Sequence, residues 1–281
     1  MIEQLPFLLW PFLALLCIAG IHVYLGLHVV EREVIFVDLS LAQMAVLGAS
    51  VASLRGAEPG EPLTYALALG FTVLGAATFS LTRSDKGRVP QEAIIGIVYA
   101  VAAAASVLIL NNAPHGAEHI RDVLVGQLLA VEKKDVLRLA VLYGVIGALH
   151  WVWRKRLLLI SRDPAAARAQ GINVKAWDFL FYLTFGLTVT ASVVLGGVLV
   201  VFSYLIVPSV TALLFADRVG PRLAIGWVVA ALASALGMLA SIWLSAPPGA
   251  SVVCVFGALL AVAAIVRPLA QRGLVGSRAG G

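Results

Sequence analysis

Charge is scarce in this sequence. Asp, Glu, Lys and Arg make up 12% of the 281 residues, where a soluble domain carries roughly a quarter. Cysteine is scarcer. Cys17 and Cys254 are the only two and both lie in apolar segments, so neither a disulfide scaffold nor cysteine-based metal chemistry is implied. No G-x-x-x-x-G-K-[ST] stretch or Walker-type acidic partner occurs, which excludes ATP hydrolysis by this chain itself. No basic residue precedes the first apolar segment, and Met1 is followed closely by Glu3. A typical cleaved signal peptide is therefore not expected there.

What is present is apolar. Hydrophobic residues form 61% of the chain, more than a globular core of this length can use. The surplus must face lipid, which makes this an integral membrane protein. Soluble enzymes, secreted disulfide scaffolds and disordered proteins are excluded. The charge balance of +5 is better used in orienting the chain in a bilayer than on nucleic acid, and no nucleic-acid partner is expected.

Nine apolar stretches can be marked: Phe7–Val30, Val34–Leu54, Leu63–Leu81, Ala93–Leu110, Val136–Trp153, Phe179–Gly196, Gly197–Phe215, Leu223–Leu244 and Ser251–Val266. Most approach the roughly 20 residues a helix needs to cross the hydrocarbon. Backbone groups in lipid must bond within their own segment, so each is predicted as a helix. The sixth and seventh form one apolar run, split only by Gly196-Gly197. Two spans joined by a very tight turn, or one span and a shorter re-entrant helix, both fit.

With an outside N-terminus, 15 of the 20 basic residues fall in connections on one side. Arg55, Arg121, Lys133, Lys134 and Arg138 fall on the other. The side with more Lys and Arg is expected to be cytoplasmic, placing the N-terminus outside and the C-terminus inside.

Two connections are too long for simple turns. The outer one, Asn111 to Asp135, holds a short apolar stretch, Val123 to Val131, expected to lie in the interface or re-enter. The inner one, Arg154 to Lys175, reads RKRLLLISRDPAAARAQGINVK. Asp163-Pro164 is a helix start, with the acid as cap and proline in the first turn. Ala165 to Ala169 continue the helix and Gly171 ends it. The result is either an ordinary amphipathic loop helix or a docking element.

That inner segment resembles the coupling stretch D-P-x-x-A-x-x-x-G of the permease subunits of ABC-type zinc and manganese uptake systems, the ABC-3 family. Here it runs from Asp163 and Pro164 through Ala167 and Arg168 to Gly171. Further matches keep the family's order. They are FVDLSLAQMAVLG from Phe36, EAIIGIVYAVAAA from Glu92, LVGQLLAV from Leu124, GGVLVVFSYLIVPSVTALL from Gly196, with its proline at Pro208 and alanine at Ala212, and PPGASVV from Pro247. Any one is a weak apolar pattern, but six in sequence are specific. The resemblance implies one permease domain over residues 1–281, with a coupling segment at about 154–175 and a basic cytoplasmic tail at about 267–281. It implies residence in a bacterial inner membrane, a second copy of the chain, a cytoplasmic ABC ATPase dimer and an external substrate-binding protein. No cofactor would be bound permanently. The cargo would be a divalent metal, zinc before manganese, moved by alternating access.

Asp38 is the most informative single residue, a carboxylate among Ile35, Phe36, Val37 and Leu39. Such a group costs several kcal/mol unless paired or wetted. It is either a transport-path residue facing the bundle interior or an acid near the cytoplasmic interface reaching Arg32. Gln43 lies about 140° further round the helix, with Ser40 between them. The family's metal-path motif is D-x-x-x-H. Aligning Phe36 and Gly48 puts Leu39 at its aspartate and Gln43 at its histidine, with Asp38 displaced by one. Glutamine is a poor zinc ligand, so weaker oxygen coordination or another cargo follows.

Histidines offer less. His22 and His28 lie on different faces of the first span. His22 reads as a packing partner, and His28 is a candidate substitute for the missing histidine. His150, beside Trp151 and Trp153, reads as an interfacial anchor. In the outer loop, HGAEH places His115, Glu118 and His119 together if helical, either a metal-catching site at the mouth or a solvated polar loop. Ala100 and Ala102 to Ala105 make a close-packing surface. Ser203, Tyr204 and Ser209 around Pro208 either line a gate or re-satisfy carbonyls freed by the proline.

The expected fold is all-α and polytopic, with about eight or nine transmembrane helices and a cytoplasmic coupling helix. An ABC permease of the same fold with a non-metal cargo remains open. An ion-coupled secondary transporter would need broken helices at matching positions of two halves, and only the Pro208 region suggests one. A membrane enzyme would need clustered intramembrane ionisable groups, and Asp38 is nearly alone.

Overall fold

A computed structural model describes residues 5–57, 61–83, 89–111 and 126–278, with side chains from 8 to 267. Its described residues form nine α-helices and no strand: α1 Leu5–Glu31, α2 Val37–Ser53, α3 Pro62–Thr82, α4 Gln91–Leu110, α5 Lys133–Arg162, α6 Pro164–Ala169, α7 Val174–Leu213, α8 Val219–Leu244 and α9 Pro248–Arg278. A 3-10 turn, Leu128–Ala130, precedes α5. Seven helices are long and apolar enough to cross a membrane, and α2 is a shorter apolar one. The chain is a polytopic all-α membrane protein, as its composition requires. The short helix α2 has 17 residues, a length of roughly 26 Å.

The nine apolar stretches become eight helices because the sixth and seventh merge in α7. This 40-residue element breaks at Gly197, where φ is 75° and ψ is 162°. An L side chain is strongly disfavoured there. Both halves lie along α1, in opposite directions. The first runs from Ser192 at His22 to Gly196 at Ile18, and the second is back at Gly26 by Leu205 and Ser209. The backbone at Gly126 lies against Gly196 and Gly197, and Gln127 donates its N–H to the Leu195 carbonyl at 3.0 Å. Of the expected outer re-entrant stretch, the described part is therefore a turn braced on this reversal.

The helices α1 and α7 form the centre and are mostly buried. Around them α3, α4, α5 and α8 leave Leu74, Val101, Leu108, Val141, Val152 and Leu239 exposed. Apolar side chains on an outer surface of this breadth belong in lipid. One correction concerns α5, which continues past Trp153 to Arg162. The last two turns are amphipathic rather than loop-like. Leu157 and Ile160 are fully buried, while Arg156 lies over the Trp177 ring. At its start, Glu132 and Asp135 form a capping box, satisfying two orphan N–H groups.

The short helix α6 has the sequence-expected ends. Asp163 accepts from the Ala166 N–H at 2.8 Å, Pro164 occupies the first turn, and Gly171 has φ of 74°. Ala167 is its buried anchor, packed with Ile160 of α5 and Val174 of α7. The helices α2, α3 and α4 are tied where α4 begins. Glu92 Oε1 accepts from the Phe36 N–H at 3.0 Å, and Gln91 donates to the Phe79 carbonyl at 2.8 Å.

Candidate functional site

The sequence-selected path residues occupy two places. Asp38, Ser40 and Gln43 are all buried on α2, Asp38 being 1% exposed. Asp38 Oδ1 and Ser40 Oγ have no hydrogen-bond partner. Pro208 is buried in the second half of α7, beside Gly226 of α8. Gly226 fits there because a Cβ on it would come 2.5 Å from Val23 Cγ1 of α1. The hydroxyls around Pro208 are packing partners: Ser209 donates to the Val23 carbonyl, Ser203 to that of Leu199, and Tyr204 bonds Ser234 and rests edge-on against Phe256.

Arg32 is not Asp38's partner. Its Nη1 pairs with Asp178 Oδ1 at 2.7 Å, and the two side chains are 1% and 0% exposed. Arg83, just past α3, reaches both oxygens of the same carboxylate at 2.7 Å. Arg32 also donates to Ser161 Oγ at 2.8 Å, which bonds His28 Nδ1 at 2.8 Å. Its guanidinium lies 4.0 Å from the Phe181 ring centroid. One carboxylate thus gathers the ends of α1 and α3, the last turn of α5 and the first turns of α7. Asp38 is therefore not nearly alone as an intramembrane charge. The sequence carried the signal, a single aspartate opening the run WDFLFYLTF.

The histidines divide differently from expectation. His22 is a packing partner, bonded to the Ile18 carbonyl at 3.0 Å and to Ser192 at 3.2 Å. Its bond to Ser192 joins a chain that continues to Tyr143 of α5. His28 has its ring contacts with Tyr24 of α1 and Phe181 of α7, and it is hydrogen-bonded to Ser161 of α5. His150 is no interfacial anchor. It is buried and bonded to Thr184 Oγ1 at 2.8 Å. Its neighbour Trp151 faces out, because consecutive helical residues point about 100° apart. In the alanine run only Ala102 is buried. The segment with His115, Glu118 and His119 lies outside the described residues. Among the described residues no three His, Cys, Asp or Glu side chains are grouped to hold a metal ion.

Asp38 is thus the buried acid on α2 left without an ion-pair partner, while Asp178 is fully engaged in holding helices together. An unpaired acid in a bundle interior suits reversible contact with a cation in transit.

Comparison with known proteins places this architecture. Residues 4–267 match the ABC 3 transport family. The "Manganese transport system membrane protein MntC" of Listeria monocytogenes is 24% identical over 245 residues, covering 85% of each chain. A "Probable iron transport system membrane protein" of Haemophilus influenzae is 24% identical over 251 residues, covering 89% of this chain and 86% of its own. Among solved structures, "PsaBC from Streptococcus pneumoniae in complex with Fab" superposes with a TM-score of 0.78 at 20% identity, covering 93% of both chains.

Proposed function

The chain belongs to the ABC 3 transport family, and on that premise we propose that it is the membrane-spanning subunit of an ATP-driven importer of divalent metal ions. One observation carries the reading beyond the family: Asp38, buried at the start of α2 and unpaired. A carboxylate so placed is stabilised by a positive partner, and a divalent ion in transit is one. Asp38, Ser40 and Gln43 of α2 would contact the ion, and Pro208 would let the second half of α7 bend beside them. The relatives named above handle manganese or iron. The α2 donors are oxygens, which suit manganese better than zinc or iron, both of which imidazole suits. Manganese therefore moves ahead of zinc as the proposed cargo.

In this reading two copies sit in a bacterial inner membrane with their N-termini outside. An external binding protein delivers the ion, and a cytoplasmic ATPase dimer drives alternating access. Asp163, Pro164, Arg168 and Gly171 form the surface the ATPase pushes, and Ala167 anchors it to α5 and α7. Removing the Asp163 cap weakens a helix start by about 0.5–2 kcal/mol. Asp163→Ala is accordingly expected to reduce co-purification of the ATPase while leaving the amount of folded permease unchanged.

The deciding experiment is ATP hydrolysis and metal uptake by the assembled transporter in proteoliposomes, with binding protein loaded with manganese, iron or zinc. Metal-loaded binding protein is expected to stimulate hydrolysis. Asp38→Ala is expected to lower uptake at least tenfold while ATP is still hydrolysed. A complex that assembles and hydrolyses ATP, yet responds to no metal, would remove the metal from this reading. Failure of any ATPase to associate would remove the importer.

A further inference from the structure

A second acid lies beside Asp38 and comes from another helix. Glu92 sits in the first turn of α4 and reaches the start of α2 at Phe36, two residues before Asp38. One of its oxygens, Oε1, is engaged by the Phe36 N–H at the start of α2. The other, Oε2, is buried without a partner, as is Asp38 Oδ1. Gln91 Oε1 next to it is also unpartnered, its amide nitrogen being held by the Phe79 carbonyl. Among the described residues, no lysine or arginine pairs with Asp38 or Glu92.

Helix capping accounts for only part of this. Acids at helix N-termini gain about 0.3–1 kcal/mol each, and about 2 kcal/mol in the best buried cases. Taking an ionised carboxylate out of water costs several kcal/mol. Two like charges in one place add repulsion. The helix ends therefore leave a deficit, and it is of the sign that a cation removes. All these unsatisfied atoms are oxygens, the donors hard cations prefer.

We infer that Asp38 and Glu92 form one oxygen-lined cation site, spanning the first turns of α2 and α4, for a hard divalent ion of the manganese class. Asp38 supplies a buried oxygen from α2, and Glu92 supplies its free oxygen from α4 while its other oxygen fixes the start of α2. The ion keeps water on its remaining positions, as hard ions at two-carboxylate sites do. This rests on the importer reading above and deepens it: α4 supplies the second acid, in place of the histidine absent at Gln43.

The test is manganese chloride added to the purified full-length permease in lipid nanodiscs, with free manganese followed by its paramagnetic resonance signal. One saturable ion per chain is expected. Glu92→Gln and Asp38→Asn should each weaken binding at least tenfold. The amide oxygen introduced by Glu92→Gln would still accept the Phe36 N–H, so an unchanged thermal midpoint separates lost charge from lost fold. Wild-type affinity in Glu92→Gln, or no manganese bound by the wild type, overturns the site. Uptake by the assembled transporter separates the two levels. Manganese uptake that survives Glu92→Gln removes the site and leaves the importer. Binding that depends on both acids, in a transporter that imports no metal, keeps the site and removes the importer.

Discussion

Replacing Asp178 with alanine is expected to destabilise the protein by about 3–5 kcal/mol, the cost of breaking a buried ion network from one side. Arg32 and Arg83 would then face each other without a counter-charge, and Arg32 is 1% exposed. At about 2 °C per kcal/mol for a chain of this size, the thermal midpoint should fall by roughly 6–10 °C. The comparison is Glu31→Ala. Glu31 also binds two arginines, Arg222 at 2.6 Å and Arg162 at 3.4 Å, but it is 26% exposed. Pairs reached by solvent contribute about 1 kcal/mol or less. A midpoint for Asp178→Ala no lower than that for Glu31→Ala would mean that water or lipid headgroups reach Arg32. The triple variant Arg32→Met, Arg83→Met, Asp178→Leu should recover much of the loss, because removing a whole buried network is far cheaper than breaking it.

Asp178 also shows where the sequence is legible and where it is not. Helix positions are readable because they rest on local signals. Apolar runs mark the spans, and the aspartate-proline start and glycine stop mark α6. The polar interior depends on partners far apart in the chain, such as Arg32 with Asp178 and His22 with Ser192. No periodicity connects such residues. Asp178 itself escapes for a simpler reason. A span started at Phe179 counts the aspartate with the basic loop, so the burial cost that singles out Asp38 is not weighed for it. His150 is misread from its sequence neighbours, since adjacent tryptophans say nothing of the opposite helix face. Glu92 is visible in the sequence only as a family motif letter. Its nearness to Asp38 requires α2 and α4 to pack side by side, which is tertiary information.

The Gly196-Gly197 pair gives a sharper case, because sequence marks both glycines and only one is required. Gly197 has φ of 75° and ψ of 162°, a region essentially closed to residues with a Cβ. Alanine there is expected to cost about 1–3 kcal/mol in backbone strain alone. The backbone of Gly126 packs directly on the pair. Relaxing Gly197 toward helical angles would straighten α7 and pull Leu205 and Ser209 away from Gly26 and Val23. Gly196 differs. Its backbone φ is not positive, and an added Cβ would meet Val200 Cγ1 at 3.3 Å, a side-chain contact that a small shift relieves. Gly197→Ala should therefore yield little monodisperse protein in detergent, and Gly196→Ala should purify close to wild type. Equal yields would mean that α7 reverses by some means other than this one torsion.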